Sequence, residues 1–201
     1  MSEPGAQVLD VRSLPTYGYG HRSLLWWATA GLIAIESTVF ALATFSYLYV
    51  HATVDIWPPG PAPDLLWGTV NLGIMIASLI PNHWTKRVAE QEDRERARVG
   101  LLVCLTFAAA FIVVRGFEFA SLSTRWDTNA YGSAMWMLLG LHTVHIVTDF
   151  YDTAVLAVLA YTGPWEGKRF VDLSENAMYW YFVVIAWLPI YAVVYLAPRL
   201  L

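Results

Sequence analysis

Apolar residues in this chain are gathered into five long stretches, and the polar residues fall almost entirely between them. A helix needs roughly 20 consecutive apolar residues to cross a ~30 Å hydrocarbon layer. Residues 23–51, 65–84, 99–122, 131–161 and 177–196 each meet that length, so the pattern predicts an all-α bundle of five transmembrane helices. The first residues, 1–22, are polar and rich in Gly and Pro, and read as an N-terminal arm with no secretory signal. The first span therefore serves as its own insertion signal. Residues 23–201 form the membrane domain. Between the first two spans, DIWPPGPAPD carries four prolines in seven residues, which no helix tolerates, and reads as a rigid turn. The stretch TKRVAEQEDRERAR separates spans two and three and reads as a solvated turn with helical charge pairs.

Composition agrees with this pattern. The chain has 201 residues, 57% of them hydrophobic and only 14% charged, against about 25% charged in an ordinary soluble domain. The net charge of −4 matters less than where the cations lie. Arg12, Arg22, Lys86, Arg87, Arg94, Arg96, Arg98, Lys168 and Arg169 flank one side, and only Arg125 and Arg199 the other. Positive flanks stay cytoplasmic, so the N-terminus is expected inside and the C-terminus on the outer side. Trp26, Trp27, Trp57, Trp67, Trp84, Trp126 and Trp165 fall near span ends, where amphipathic rings anchor in the headgroup zone. A single cysteine, Cys104, excludes an intramolecular disulfide and reads as a small buried hydrophobe. Phosphate-binding, serine-hydrolase and zinc-protease motifs are absent, as is any basic patch for nucleic acid.

The candidate chemistry lies in the ionisable residues that the spans take into the membrane, each at a cost of a few kcal/mol. Glu36 is near the middle of span one, where a lone carboxyl is expected protonated. It is read as either a proton-linked group or a neutral acid bonded inside the bundle. Arg115 and Glu118 stand three residues apart on one face of span three and are read as a structural ion pair. His142, His145 and Asp149, spaced i, i+3 and i+7, share one stripe of span four. Two histidines on one face invite a metal, but a metal site usually takes three or four ligands. His21, His51 and His83 lie at span ends, so hydrogen bonding between helices is the preferred reading. Asn71 and Glu175 complete the polar set. No catalytic, cofactor-binding or metal-ligating residue is assigned.

Read in order, these residues resemble subunit III of the haem-copper oxidase family. ESTVF, with Glu36 and Phe40, resembles its embedded glutamate followed by aromatics, and IWPP at Ile56 to Pro59 its turn after that helix. Asn71 with Ser78, GFEF around Glu118, and YGS at Tyr131 followed by GLHTVHI at His142 and His145 resemble its middle motifs. Glu175 and YWYFVVIAW, from Tyr179 to Trp187, resemble its last. The likeness covers residues 24–197 and suits the short, five-helix bacterial form. Arg115 stands where the family usually has Gln, Tyr181 replaces His, Val184 replaces Asp, and Thr143 and Asp149 replace two glycines.

The resemblance implies a multi-pass protein of the bacterial inner membrane, docked beside a catalytic subunit I that holds the haem and copper. This chain is then expected to bind neither, to hold structural phospholipid, to stabilise its partner and to support proton uptake in a complex that oxidises cytochrome c or a quinol. The nearest rival is the related accessory subunit of nitric-oxide reductases. A small proton-coupled transporter built on Glu36 and the Arg115/Glu118 pair also competes, as does a scaffold absent from the mature complex.

Overall fold

A computed structural model describes residues 18–200, and the described residues form helices joined by turns, with no strand among them. Most of the expected 1–22 arm, including Arg12, lies outside them. Five helices carry the fold: α1 (Leu24–Ala52), α2 (Leu65–Glu90), α3 (Arg94–Ser121), α4 (Ala130–Thr162) and α5 (Gly167–Tyr191). All five are long and apolar enough to cross a membrane, α5 with its continuation to Leu200, which confirms the five-helix membrane bundle.

Local chemistry fixes the helix starts. Ser23, Asp64, Asp93 and Asn129 cap α1 to α4, each accepting a hydrogen bond from a backbone N–H of the first turn, which otherwise has no partner. The helices also run beyond the apolar windows. Helix α2 continues past Trp84 to Glu90, and α5 begins at Gly167, ten residues ahead of the apolar stretch that starts at Ala177. The charged segment after α2 shrinks to a turn at Gln91–Asp93, with Glu92 at φ 57°. Across and beyond that turn, Arg96 pairs with Asp93 at 3.4 Å and Arg98 with Glu95 at 2.9 Å.

Helix α2 packs between α3 and α5, α4 closes against α3 and α5, and α1 lies on the far side against α4 and α5. Only Phe40, Ala43 and Tyr47 of α1 are buried, whereas α5 buries thirteen residues and forms the centre. The described basic flanks meet at one end. There Arg98 donates to the Ala160 carbonyl at 2.8 Å, Lys86 to Ser174 at 3.0 Å, and Tyr19 to the Ala89 carbonyl at 3.1 Å. At the opposite end, Arg199 donates to the Pro63 carbonyl and Trp57 packs on Tyr47 and Tyr131.

Proline interrupts α5 at Pro189, and the helix then widens into a π-helical turn over Ala192–Leu196 before α6 (Ala197–Leu200). Proline has no N–H to give the preceding turn, and an i→i+5 turn rotates the residues beyond it to a new face. Tyr195, inside that turn, is fully buried.

Candidate functional site

Arg115 and Glu118 form the heart of the bundle, each only 1% exposed. Their spacing on α3 brings Arg115 Nη1 to 2.9 Å from Glu118 Oε2. Coulomb attraction alone seldom repays two desolvations; the carboxylate gains further donors, while Arg115 Nε and Asn71 Oδ1 are buried with no hydrogen-bond partner among the described residues. Asn71 of α2 donates its amide to Glu118 Oε2, and Tyr195 donates its hydroxyl to Glu118 Oε1. The acid thus receives donors from three helical segments.

Arg115 is held from the other side. Its Nη2 lies 3.3 Å from His142 Nδ1, and His142 Nε2 lies 3.0 Å from the Val183 carbonyl. A carbonyl can only accept and a guanidinium can only donate. The ring proton is therefore on Nε2, and Nδ1 presents its lone pair to Arg115. His142 is neutral in this arrangement and adds no second cation. The Arg115 guanidinium also sits 4.1 Å from the centre of the Trp187 ring and 4.8 Å from that of Phe111. Such ring faces attract a desolvated cation. Trp187 in turn packs on His142, with centroids 4.9 Å apart.

The histidine stripe divides. His142 belongs to this cluster, whereas His145 turns toward α1. There His145 Nδ1 donates to the Leu141 carbonyl at 2.7 Å, leaving Nε2 to face Glu36 Oε1 at 3.7 Å. Phe40 covers that pair at 4.7 Å from the His145 ring, and the Tyr179 hydroxyl lies beside the Glu36 carboxyl. Asp149 is buried away from both groups, against Asn176 and Thr153 of a separate cavity. Glu175 is buried near the end of the bundle that carries the basic flanks, beside Lys86 and Glu90. Cys104 lies 3.6 Å from the Thr85 hydroxyl.

The structure therefore joins Asn71, Arg115, Glu118 and His142 in one cluster, pairs Glu36 with His145, and sets Asp149 and Glu175 apart. Sequence reasoning missed Tyr195, Trp187 and Phe111. An aromatic residue within an apolar run reads as lipid-facing or inward alike, and only the spacing by four of Trp187, Tyr191 and Tyr195 hinted at a shared face.

Both ring nitrogens of His142 are engaged in this arrangement, one by Arg115 and one by the Val183 carbonyl. What the cluster can do is tie α2, α3, α4 and α5 together through one buried ion pair.

Residues 33–198 match the family model for cytochrome c oxidase subunit III. The chain belongs to that family. Similar proteins include cytochrome c oxidase subunit 3 of the cyanobacterium Synechocystis sp., 24% identical over 183 residues that cover 89% of this chain and 78% of the relative. The mouse subunit is 24% identical over 176 residues, covering 82% of this chain and 67% of the relative. That of Artemia franciscana is 23% identical over 171 residues, covering 82% and 66%. The chain spans about two thirds of the length of these animal relatives. Membership in the subunit III family, with five apolar helices, makes it a multi-pass membrane protein.

Proposed function

We propose that this chain is the non-catalytic subunit III of a haem-copper terminal oxidase of the cytochrome c oxidase type, seated in a bacterial inner membrane. It docks beside a catalytic subunit I that holds the haem and copper, binds neither itself, stabilises its partner and supports proton uptake there. The observation that carries this reading is the engagement of the ionisable groups at the centre of the bundle with one another. Arg115, Glu118 and His142 are committed to mutual contacts, which suits a rigid supporting bundle rather than a redox centre.

Two further features support it. The outer surface of α1 is mostly apolar, from Leu24 and Trp27 through Ile35 and Leu42 to Tyr49, and its exposed Thr38 and Ser46 hydroxyls are spent on their own helix backbone, as suits a helix facing lipid or a partner subunit. Between α1 and α5 an apolar groove of about 320 Å³, lined by Phe40, Phe45, Phe182 and Ile185, suits the acyl chain of a structural phospholipid. In this reading the end bearing Lys86, Arg87, Arg94 and Arg98 faces the cytoplasm, with the N-terminus inside and the C-terminus outside.

The test is to tag the chain in its native host, extract it in a mild detergent and record the reduced-minus-oxidised spectrum of what comes with it. Haem bands that leave with the partner when the complex is dissociated are expected. Stoichiometric haem or copper on the dissociated chain, or a tagged chain that comes out free of any haem protein, overturns the reading. Oxygen consumption against nitric-oxide consumption by the recovered complex separates an oxidase from a nitric-oxide reductase.

A further inference from the structure

A second polar chamber lies among α2, α3, α4 and α5, apart from the Arg115–Glu118 cluster. Its volume is about 20 Å³, and Asn82, Thr85, Cys104, Asp149, Thr153 and Asn176 line it. One water molecule needs roughly 10–15 Å³ of such space, so the chamber has room for one. Asp149 is 2% exposed, and its Oδ1 has no hydrogen-bond partner among the described residues.

Most donors around the chamber are already spent. Asn82 gives its amide to the Ala177 carbonyl at 3.0 Å, Thr85 its hydroxyl to the Pro81 carbonyl at 2.7 Å, and Asn176 its amide to Thr153 Oγ1 at 2.9 Å. Trp180 spends its N–H on Ser78 at 2.9 Å. The Thr153 hydroxyl lies beside Asp149, each of the two amides keeps a second N–H, and the rest of the polar wall is chiefly oxygen lone pairs. No Lys or Arg lines the chamber. The titratable groups that act on Asp149 are Asp152 on its own helix, Cys104 on α3 and Tyr179 on α5, and none of them is a cation. An ionised Asp149 would thus be buried with no countercharge.

Asn176 also lines a second, open recess of about 360 Å³ among α1, α4 and α5, with Asp152, Asp172, Glu175 and Arg169 on its wall. Both carboxyl oxygens of Glu175 are buried there without hydrogen-bond partners among the described residues. Asn176 thus borders both the chamber of the enclosed acid and the acid-lined opening. We propose that Asp149 holds a proton and a water molecule in the inner chamber and exchanges them with the acidic recess past the Asn176 side chain. In the exchange the Asp149 O–H bond breaks as its proton passes to the chamber water. A recess carboxylate then takes a proton from that water, and a proton returning by the same route restores the acid. No electron moves and no other reactant is needed.

Infrared spectroscopy of the full chain in lipid nanodiscs tests this, since a protonated carboxyl gives its own C=O band. One such band is expected to vanish in Asp149→Asn and to shift down when H₂O is replaced by D₂O. Asn176→Leu should leave the band in place and slow that shift, and Asn176→Ala should hasten it. Isotopic labelling of the aspartate carboxyl carbon identifies the band in the unsubstituted protein should Asp149→Asn fail to fold. A carboxyl spectrum that aspartate labelling and Asp149→Asn both leave unchanged overturns the proposal. So does a band that never shifts in D₂O, or one whose shift rate ignores both Asn176 variants. The measurement needs no partner subunit, so its failure and a failure of the oxidase reading are separable.

Discussion

The Arg115 guanidinium on α3 lies 4.1 Å from the centre of the Trp187 ring on α5, and no part of either side chain is substantially exposed. The contact joins two helices through a desolvated cation and a π-face, an arrangement worth about 2 kcal/mol when water is excluded. Trp187→Leu should lower stability by about 3 kcal/mol, since volume and ring are both lost. Trp187→Phe, which keeps a π-face, should cost about 1–2 kcal/mol. Denaturant titration of helicity in mixed micelles reads both; equal losses would mean that the ring contributes only bulk.

The ion pair should respond asymmetrically. A carboxyl left alone can take up a proton, whereas a guanidinium cannot give one up. Glu118→Gln strands Arg115 in the core and should cost about 3–5 kcal/mol. Arg115→Gln leaves an acid that still has Asn71 and Tyr195 as donors, and about 1–2 kcal/mol is expected. The double Gln variant should be more stable than Glu118→Gln alone in the same titration. Swapping the two charges should rescue less well, because it sets a guanidinium against the donors of Asn71 and Tyr195.

Gly68 is where α2 lets the Tyr195 ring through. A Cβ placed there would stand 2.7 Å from Tyr195 Cζ. Gly68→Ala should therefore push the tyrosine off Glu118, at about 1–3 kcal/mol. Gly73→Ala on the same helix, where an added Cβ meets nothing within 4 Å, should not destabilise. Adding Tyr195→Ala to Gly68→Ala should cost less than the sum of the two singles, since the residues share one contact.

Ahead of the first span, Tyr19 reaches the Ala89 carbonyl and the Glu92 carboxylate, and burial with that negative neighbour raises its hydroxyl from 10.0 to about 12. The neutral phenol is the form the folded contact favours. Its contribution is whole below pH 10 and is lost as the pH climbs through the folded value of about 12. Tyrosinate absorbance during an alkaline titration, compared with Tyr19→Phe, should show one late-titrating tyrosine missing from the variant.

Much of the fold was legible because a bilayer imposes length: each apolar run long enough to cross became a helix. The helix ends were less so. Lys86 to Glu90 and Lys168 to Ser174 are helical with polar faces at the end of the bundle, where hydropathy stops reporting but i→i+4 bonding continues. Arg115 with Glu118 could be read from spacing on one helix. Asn71 and Tyr195 could not, since they reach Glu118 from 47 and 77 residues away. The stripe of His142 and His145 divides between two sets of partners for a geometric reason. Three residues of α-helix leave side chains about 60° apart around the axis, enough to send one toward α5 and the other toward α1.

Helix α1 finds its seat on α4 and α5, the last of the five spans to leave the ribosome. During synthesis it must wait in the bilayer, unclaimed, while more than a hundred residues follow it. Throughout that interval Glu36 has neither His145 nor Tyr179 beside it. Whatever escorts the nascent chain thus meets a lone acid in the first span, and final closure of the bundle is the moment that hides it.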